Sequence, residues 1–361
     1  MTWIFAPSLM DIVFFMLLLF VILGFCLTLQ SPLWRSAYHR LAQSPLAIVS
    51  SGIILVYLSV AILDSIRFEH PPHAKPLTLL DHLLSPTLTA RESGYSAPFA
   101  AQVLSPILSS DAEGHFHQEQ PRLKSEYHLF GTDKIGRDVF YLSLKSIRTG
   151  FLVGGLTLSI ALPLAILFGL SAGYYGRRVD DLIQFFYTII SSIPGVPLIA
   201  AGVLAFQAQF EVANEQRLLL ICIVLGGTGW IGLCRLLRAE TLKIRELEYV
   251  QATQLLGYSS YYLLSKCIFP NLFHLILITA ALEFSGLVLT EAILSYIGIG
   301  LDASSFSWGI LINSARLELS RDPIVWWTLT AALSLMFGLV LAINLFADEL
   351  QKTLDPRRRY A

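Results

Sequence analysis

Residues 238–271, RAETLKIRELEYVQATQLLGYSSYYLLSKCIFPN, form a polar, helix-prone insert between two strongly apolar stretches. Apolar residues at near-helical spacing predict a first short helix, and Gly257 can end it because glycine readily adopts the left-handed conformation of helix C-termini. One of the two serines that follow can cap a second helix over 261–269, which Pro270 closes. The predicted apolar stripe of the first helix consists of Leu242, Leu247, Val250, Gln251 and Leu255.

The length of this insert indicates a role beyond connection. A loop that only rejoined two membrane helices could be much shorter. We therefore interpret the insert as a rigid knob that transmits force between a soluble partner and the membrane helices. The alternative is an amphipathic helix that lies on the lipid headgroups.

The composition is that of a membrane protein. Hydrophobic residues make up 55% of the 361 and charged residues 14%, with a mean hydropathy of +0.63, whereas soluble domains carry about 25% charged residues. A membrane helix needs roughly 20 apolar residues to cross about 30 Å of hydrocarbon. The sequence therefore predicts an all-α polytopic membrane protein with about seven transmembrane helices, at about 10–30, 45–65, 149–174, 182–207, 217–237, 272–298 and 325–347.

The distribution of Lys and Arg predicts the orientation of these spans, because cytoplasmic loops are enriched in both. One set of short connecting segments holds thirteen of these residues, whereas the opposite set holds only Arg217, Arg316 and Arg321. We therefore expect the 238–271 insert and the C-terminus in the cytoplasm, and the N-terminus and segment 66–148 outside. The first span is interpreted as a retained helix, because no Lys or Arg precedes it and no small-residue cleavage site follows it.

Residue types that bind metals or catalyse reactions are not arranged as a site. The four cysteines occur singly in or beside apolar spans, so neither a disulfide framework nor a thiolate metal site is expected. No HExxH or GxxxxGK[ST] motif occurs, so we expect no catalytic residue, no metal ion and no cofactor bound by this chain. The cysteines are Cys26, Cys222, Cys234 and Cys267. Six histidines lie in 66–148, where a solvated loop is the default interpretation, namely His70, His73, His82, His115, His117 and His128.

The insert resembles the cytoplasmic EAA loop of ABC-importer permeases, in which a glycine lies a few residues after a Glu-Ala-Ala triplet. The triplet is replaced here by Gln251, Ala252 and Thr253, with Gly257 and Pro270 in the matching places. Two of the three residues therefore differ from the family pattern, and the glutamine lacks the charge that the family carries there.

Three further stretches narrow the resemblance to the C-type permease subunit of the dipeptide, oligopeptide and nickel importer family. HLFGTDKIGRDVF (128–140) resembles the motif that precedes a span in that family, and LTEAILSYIGIGLDASSFSWGILI (289–312) resembles its exit from the penultimate span. NLFADELQKTLDPRRR (344–359) resembles its C-terminal motif. Together the matches cover roughly 120–360 and the span at 45–65.

This resemblance implies a six-helix importer permease core with one extra N-terminal helix. It also implies a bacterial inner-membrane subunit that forms half of a pore for peptides or similar small solutes. The implied partners are a second homologous permease, two ATPase subunits that use the ATP, an extracytoplasmic substrate-binding protein and membrane lipid, with no nucleic acid. The implied regions are an extra helix and linker (1–44), a first core span (45–65), an extracytoplasmic segment (66–148), the permease core (149–350) and a basic cytoplasmic tail (351–361).

The candidate site residues fall into three groups. Glu283 and Glu291 lie inside an apolar span, where a carboxylate must face protein or water, and Pro194 and Pro197 interrupt another span. All four are pore or interface candidates, with internal hydrogen bonding and simple packing kinks as the alternatives. The ATPase-coupling candidates are Glu240, Gln251, Ala252, Thr253, Gly257 and Pro270. The extracytoplasmic candidates are interpreted as ordering the gate-side surface or contacting a substrate-binding protein, and the alternative is a turn with local salt bridges at a helix start. They are Gly131, Thr132, Asp133, Gly136, Arg137 and Asp138.

Functions of other classes compete with the permease subunit. A secondary carrier would have inverted repeats and discontinuous helices at matching positions of both halves, which the sequence does not display. A non-transporting regulatory membrane subunit is favoured only by the departures at Gln251 and Thr253. An intramembrane enzyme is disfavoured because no suitable catalytic pair lies within the spans.

Overall fold

The structure, a computed structural model, describes residues 4–5, 7–29, 32–69, 77–84, 92, 94–104, 107–110, 116–119, 128–209, 214–302 and 304–354. It is predominantly helical, which confirms the predicted all-α membrane fold. The chain divides into two compact units, and several helices contribute residues to both. Unit 1 comprises Met1–Leu19, Gly52–Leu152 and Glu291–Ala342, and unit 2 comprises Phe20–Ser51, Val153–Thr290 and Ile343–Ala361.

Helices account for most of the described residues. In chain order they are α1 (Leu9–Leu29), α2 (Pro32–Leu41), α3 (Pro45–Ser65), α4 (Leu79–Leu83), α5 (Val139–Tyr175), α6 (Arg177–Ser191), α7 (Gly195–Gln209), α8 (Asn214–Gly229), α9 (Ile231–Arg245), α10 (Glu248–Leu255), α11 (Ser260–Ile297), α12 (Trp308–Glu318) and α13 (Trp327–Leu354).

Five helical stretches of the described residues are long and apolar enough to cross a membrane. They are α3, α5, the consecutive pair α8 and α9 taken as Gln216–Arg245, α11 and α13. A sixth span results if α6 and α7 count as one. Helix α1 contains a shorter apolar stretch, Leu9–Gly24. The structure thus supports five or six spans, and the count of seven stays a prediction.

Helix α5 starts well before the predicted span 149–174. Its start is set by Asp138, whose carboxylate oxygen Oδ1 accepts a hydrogen bond from the backbone N–H of Tyr141 at 2.8 Å. Hydropathy marks only the apolar part of a helix, which is why the sequence placed the boundary too late. At 1.5 Å per residue its 37 residues extend about 55 Å, so the helix continues beyond roughly 30 Å of hydrocarbon.

The stretch predicted as one span at 182–207 is two helices. Helices α6 and α7 are bent by 85° at the break between them. Pro194 lies in the break, and Pro197 lies in the first turn of α7, where a missing backbone N–H leaves no helical bond unmade. The predicted interruption and bend of this span are found at Pro194, whereas Pro197 is accommodated within α7 and does not interrupt it.

Segment 66–148 contains a short helix, loops and strands, and an N-terminal strand, Ile4–Phe5, pairs with one of these strands. Its sheets are antiparallel, and their strands are two to four residues long, too short for an alternating pattern to be recognised in the sequence. One sheet has the order β1-β2-β3, with β1 (Ile4–Phe5), β2 (Arg67–Glu69) and β3 (Leu77–Thr78), and the other pairs β4 (Ile107–Ser110) with β5 (Phe116–Glu119).

Buried charge pairs organise unit 1. Asp11, near the start of α1, is fully buried. It pairs with Arg67 of β2 at 3.1 Å and with Arg148 of α5. Lys145 of α5 pairs with Asp81 of α4 at 2.8 Å. Because an unpaired buried charge is strongly unfavourable, these pairs fix α1, the first sheet and α5 to one another.

Close helix packing in unit 2 depends on glycines of α5. A Cβ at Gly169 would lie 2.8 Å from Leu237 Cβ, and one at Gly173 would lie 2.5 Å from Thr241 Cβ. Small residues four apart allow α5 and α9 to approach closely. The same stretch, GLSAG (169–173), matches the G-x-S-x-G pattern of serine hydrolases. It lies within a helix rather than at a strand-to-helix turn, so it is a packing feature.

Candidate functional site

The insert forms two helical segments that separate at Gly257, as predicted. Gly257 has a φ of 83°, in the left-handed region. Its N–H donates to the carbonyl of Gln254 at 3.0 Å and so closes α10. The Ser259 hydroxyl then accepts the N–H of Tyr262 at 3.3 Å, which starts α11. The break and the cap therefore come from local side-chain and backbone chemistry.

The prediction that Pro270 closes the second helix is wrong. Helix α11 continues through this residue, and Leu263–Ile268 just before it is π-helical. A π-helical turn rearranges the hydrogen-bond ladder and so accommodates a residue without an N–H. Asn271 Nδ2 donates to the carbonyl oxygen of Cys267 at 2.7 Å and so provides this backbone oxygen with a hydrogen bond. The insert therefore continues into the apolar helix α11 without a break at Pro270.

The apolar side chains of the insert are mostly exposed. Within the predicted stripe, Val250 is 1% exposed, whereas Leu255 is 89% exposed. The residues of the predicted stripe do not share one buried face, because the eight-residue α10 buries Val250 and Leu242 lies in the preceding helix α9. Exposed apolar patches of this kind mark interaction sites. We define the coupling patch as the exposed residues Leu255, Leu256, Tyr258, Tyr261 and Tyr262.

Hydrogen bonds hold the insert at both ends. Arg245 Nη1 donates to the carbonyl of Gly173 at 3.0 Å, near the C-terminus of α5. A cation at this place also complements the negative end of the helix dipole. On the other side, Asn271 Nδ2 donates to Tyr249 Oη at 2.8 Å, which ties α10 to α11. Because both ends are fixed, the coupling patch is presented on a stiff support.

A cleft of about 710 Å³ lies beside α10 in unit 2. Gln251 lines this cleft. It occupies the position at which the ABC-importer permeases that the insert resembles have glutamate. Its Nε2 donates to the backbone oxygen and the carboxylate of Glu246 at 3.3 and 3.4 Å. A carboxylate at 251 would face Glu246 as a like charge, so the substitution removes a repulsion within the loop. The cleft is lined by Tyr174, Tyr175, Arg245, Glu246, Val250, Gln251, Gln254, Leu255 and Ser260.

The remaining coupling-loop candidates make local contacts. The Thr253 hydroxyl donates to the carbonyl of Tyr249 at 2.7 Å, one turn earlier in α10. Ala252 is exposed beside it. Glu240 accepts from Lys243 at 2.6 Å on α9. Such surface pairs contribute only about 0–1 kcal/mol, so Glu240 is not a structural anchor of the loop.

The extracytoplasmic candidates at 131–138 fold into a tight turn that precedes α5. Gly131 and Gly136 have φ values of 62° and 76°. A Cβ at these positions would lie 2.3 and 2.0 Å from backbone oxygens, so only glycine fits. Asp133 pairs with Arg137 at 2.8 Å within the turn. The arrangement matches the alternative of a salt-bridged turn at a helix start.

The other polar residues of this turn face inward. The Thr132 hydroxyl donates to the carbonyl of Gly94 at 2.8 Å. His128 is fully buried, with Nδ1 2.7 Å from Asp138 Oδ2 and Nε2 3.7 Å from Glu92 Oε1. Burial alone would lower the pKa of His128, but the hydrogen bond with Asp138 and the two acidic charges outweigh it and raise the pKa above its ordinary value. The expectation of a solvated loop is therefore wrong for His128. Of the other histidines, His82 lies in α4 and His117 in β5, while His70, His73 and His115 fall outside the described residues.

The two carboxylates of α11 have different surroundings. Glu291 is 2% exposed. Its Oε1 accepts from the hydroxyls of Ser295 and Ser307 at 2.7 and 2.6 Å, so the alternative of internal hydrogen bonding describes it. Glu283 is exposed and has no hydrogen bond or ion pair among the described residues. A Cβ at Gly232 would lie 3.8 Å from its Oε1. Glu283 thus remains the open pore or interface candidate.

Residues 165–360 match the family of binding-protein-dependent transport system inner membrane components. The match covers more than half of the chain, and it includes the coupling patch, the cleft and both carboxylates of α11. The chain belongs to this family. The predicted membrane permease is thereby confirmed.

Curated relatives of this permease are subunits of peptide transport systems. The oligopeptide transport system permease protein OppC of Haemophilus influenzae is 31% identical over 254 residues, 70% of this chain and 78% of the relative. The dipeptide transport system permease protein DppC of Bacillus subtilis is 29% identical over 262 residues, 72% of this chain and 79% of the relative. DppC of Alkalihalophilus pseudofirmus is 28% identical over 332 residues, 92% of both chains. The resemblance to importer permeases is confirmed.

Two features of this permease escaped the sequence interpretation. The tyrosines of the coupling patch are not among the predicted site residues, although Tyr258 and Tyr262 stack with ring centroids 4.7 Å apart. A cluster of tyrosines in a polar loop is the signal that could have revealed them. The pairing of Asp11 with distant arginines was also missed. The sequence feature that could have indicated this pairing is a single acidic residue at the start of an apolar helix, because a carboxylate in such a place needs a partner.

Proposed function

We propose that this chain is the permease subunit of an ATP-driven importer and forms half of a translocation pore with a second homologous permease. Two ATPase subunits bind in the cytoplasm, and an extracytoplasmic substrate-binding protein delivers the solute. The single observation that supports this most is the coupling patch. It is a set of exposed Leu and Tyr side chains on a polar loop, and it is continuous with a transmembrane helix.

The loop is suited to transmit movement from an ATPase to the pore. Arg245 fixes one end to α5 and Asn271 fixes α10 to α11. Since α11 continues through Pro270, a shift of the patch tilts α11 rather than being absorbed by a flexible joint. Closure of the ATPases on ATP would move the loops of both permeases and convert the pore between inward-open and outward-open states.

The ATP is used by the partner subunits, and this chain binds no cofactor and contributes no catalytic residue. The 238–271 loop and the C-terminus lie in the cytoplasm, whereas the N-terminus and segment 66–148 lie outside. The functional regions are the extra helix and linker (1–44), a first core span (45–65) and the permease core (149–350). The basic tail 351–361 faces the cytoplasm.

The transported solutes are peptides. This proposal is supported by curated relatives that are 28%, 29% and 31% identical to this chain and are named as oligopeptide or dipeptide transport system permeases. The binding protein selects among peptides, while this chain supplies half of the path.

The test combines co-purification with uptake. We expect that the variant Leu255→Ser with Tyr261→Ser loses most ATPase subunits on purification in mild detergent, because large exposed aromatic and aliphatic side chains carry most interface energy. Membrane insertion should be unchanged. The matched control is Leu317→Ser, which alters a side chain 70% exposed outside the coupling loop and should retain the ATPases.

Uptake into vesicles separates the competing functions. ATP-dependent uptake of tri-alanine should require this chain and disappear with the coupling-patch variant. Uptake that is driven by an ion gradient without ATPase subunits would indicate a secondary carrier. Retention of the ATPases by the double variant would refute the assigned coupling surface.

A further inference from the structure

A small recess in unit 2 brings together three kinds of group that bind cations. The recess is a cavity of about 20 Å³ whose lining includes Thr157 of α5, Trp230 at the start of α9 and Glu283 of α11. A cavity of this measure holds one water-sized group. A primary ammonium group has about that size.

The carboxylate of Glu283 has no partner of its own within the described part of the chain. It lies in an apolar helix, where a charge facing lipid is strongly unfavourable. It is exposed on the helix surface, and a Cβ at Gly286, one turn further along, would meet nothing within 4 Å. The surface of α11 beside Glu283 is therefore not covered by other described residues.

Thr157, which also lines the recess, carries a second unpartnered polar group. Thr157 is fully buried, and its Oγ1 has no hydrogen-bond partner among the described residues. A threonine in a helix ordinarily bonds back to the preceding turn, as Thr290 does to the carbonyl of Gly286 at 2.8 Å. Since an unsatisfied buried hydroxyl is unfavourable, a ligand that donates a hydrogen bond to this oxygen would be stabilised.

The indole of Trp230 supplies the third component. Its Nε1 is already used, because it donates to the carbonyl of Gly227 at 2.9 Å. The indole ring can still interact with a ligand through its π-system, and tryptophan attracts cations most strongly among the aromatic residues. An anion, a hydroxyl acceptor and an indole in one water-sized recess match an ammonium ion and no anionic ligand.

We propose that Glu283, Thr157 and Trp230 form a subsite on the solute path that binds a primary ammonium group of the transported solute. In a peptide this group is the α-amino terminus or a lysine side chain. The carboxylate neutralises the charge, the hydroxyl accepts one N–H, and the indole attracts the cation. The inference rests on the proposed transport function and names the part of the solute that this chain recognises.

Binding is tested on the purified complex with ethylammonium chloride as the probe and equal sodium chloride as the reference. A ligand that binds the folded state raises the melting temperature by an amount that grows with the logarithm of its concentration relative to Kd, so a titration gives the apparent affinity. We expect ethylammonium to stabilise the wild-type complex. Glu283→Gln and Thr157→Val should each weaken the apparent affinity about tenfold, the ordinary effect of losing a hydrogen bond to a charged group. Thr290→Val, which removes a self-satisfied hydroxyl from α11, is the control and should bind like the wild type.

Uptake of tri-alanine in vesicles distinguishes this inference from the function on which it rests. Glu283→Gln should lower uptake while the second permease and the ATPases still co-purify. Ethylammonium binding that is identical in the wild type and both variants would overturn the subsite even if uptake is normal. Loss of the second permease from the Glu283→Gln complex would also overturn it, because the carboxylate would then pair across the subunit interface. Ethylammonium binding without any uptake by the wild type would refute the transport function and leave the subsite standing.

Discussion

Replacing Gly173 by alanine should weaken the contact between α5 and α9 that supports the coupling loop. A Cβ at this position would lie 2.5 Å from Thr241 Cβ and 2.9 Å from the backbone oxygen of Arg238. Neither atom is the far end of a flexible side chain, so the two helices must move apart. Gly173 also accepts the hydrogen bond from Arg245, so the displacement reaches the start of the insert.

The magnitude follows from two opposing effects. Alanine in a helix interior is more favourable than glycine by about 0.5–1 kcal/mol. Overpacking a close contact is unfavourable by about 1–3 kcal/mol, and the contact with backbone favours the upper part of that range. The net loss of stability should be about 1–2 kcal/mol. The matched control is Gly52→Ala in α3, where a Cβ meets nothing within 4 Å, and it should gain about 0.5–1 kcal/mol.

The assay uses the buried thiols of the chain itself. Cys222 and Cys234 are fully buried, so a thiol-reactive dye reports their exposure as the detergent-solubilised protein is heated. At roughly 2 °C per kcal/mol, Gly173→Ala should melt lower than the wild type and Gly52→Ala slightly higher. A Gly173→Ala protein that melts at or above the wild-type temperature, alongside the expected control, would refute the close packing of α5 on α9.

Two further predictions concern unit 1. Asp11→Asn leaves Arg67 and Arg148 without their carboxylate, and we expect the free energy of unfolding to fall by about 3 kcal/mol. This is the lower end of the range for a broken buried ion pair, because both arginines are partly exposed. An unchanged melting temperature in the dye assay would contradict the pairing. For His128, acidic neighbours raise the pKa of the ring in the folded state. The protonated ring therefore stabilises the fold at pH values below the ordinary pKa of 6.5. This contribution is lost as the pH rises through the raised pKa. The melting temperature of the wild type relative to His128→Gln should therefore fall as the pH increases above about 6.5, and a difference that does not vary with pH would count against the buried ionic contact.

Local chemistry explains which parts of the fold could be predicted. The apolar spans follow from the energetics of lipid exposure, which each stretch of chain carries by itself. The break at Gly257 and the cap at Ser259 depend on residues within a few positions of each other. The tight turn at 131–138 likewise follows from its two glycines and from Asp133 and its close neighbours. The break and the cap need no information from elsewhere in the chain, whereas the turn also packs on the backbone of Glu92 and Ser96.

The failures of prediction involve contacts between distant residues or adjustments of backbone geometry. The sequence predicts a helix end at Pro270 because a proline ring breaks an ordinary α-helix. The π-helical turn before this residue allows α11 to continue. The sequence predicts a solvated loop at His128, whereas in the structure this residue is buried and contacts Glu92 and Asp138, of which Glu92 is distant in the chain. The angle of 85° between α6 and α7 depends on packing, which the two prolines permit but do not specify.

The sequence alone therefore determined the membrane class, most of the helices, the position of the polar insert and the resemblance to importer permeases. Hydropathy, capping and glycine conformation act over short distances, so they can be read along the chain. Only the tertiary structure decided that the insert is continuous with α11 and that its tyrosines are exposed. It also decided that Glu283 shares a recess with Thr157 and Trp230. The physical reason is that burial and partnership of polar groups depend on which helices pack together, and residues far apart in the chain meet there.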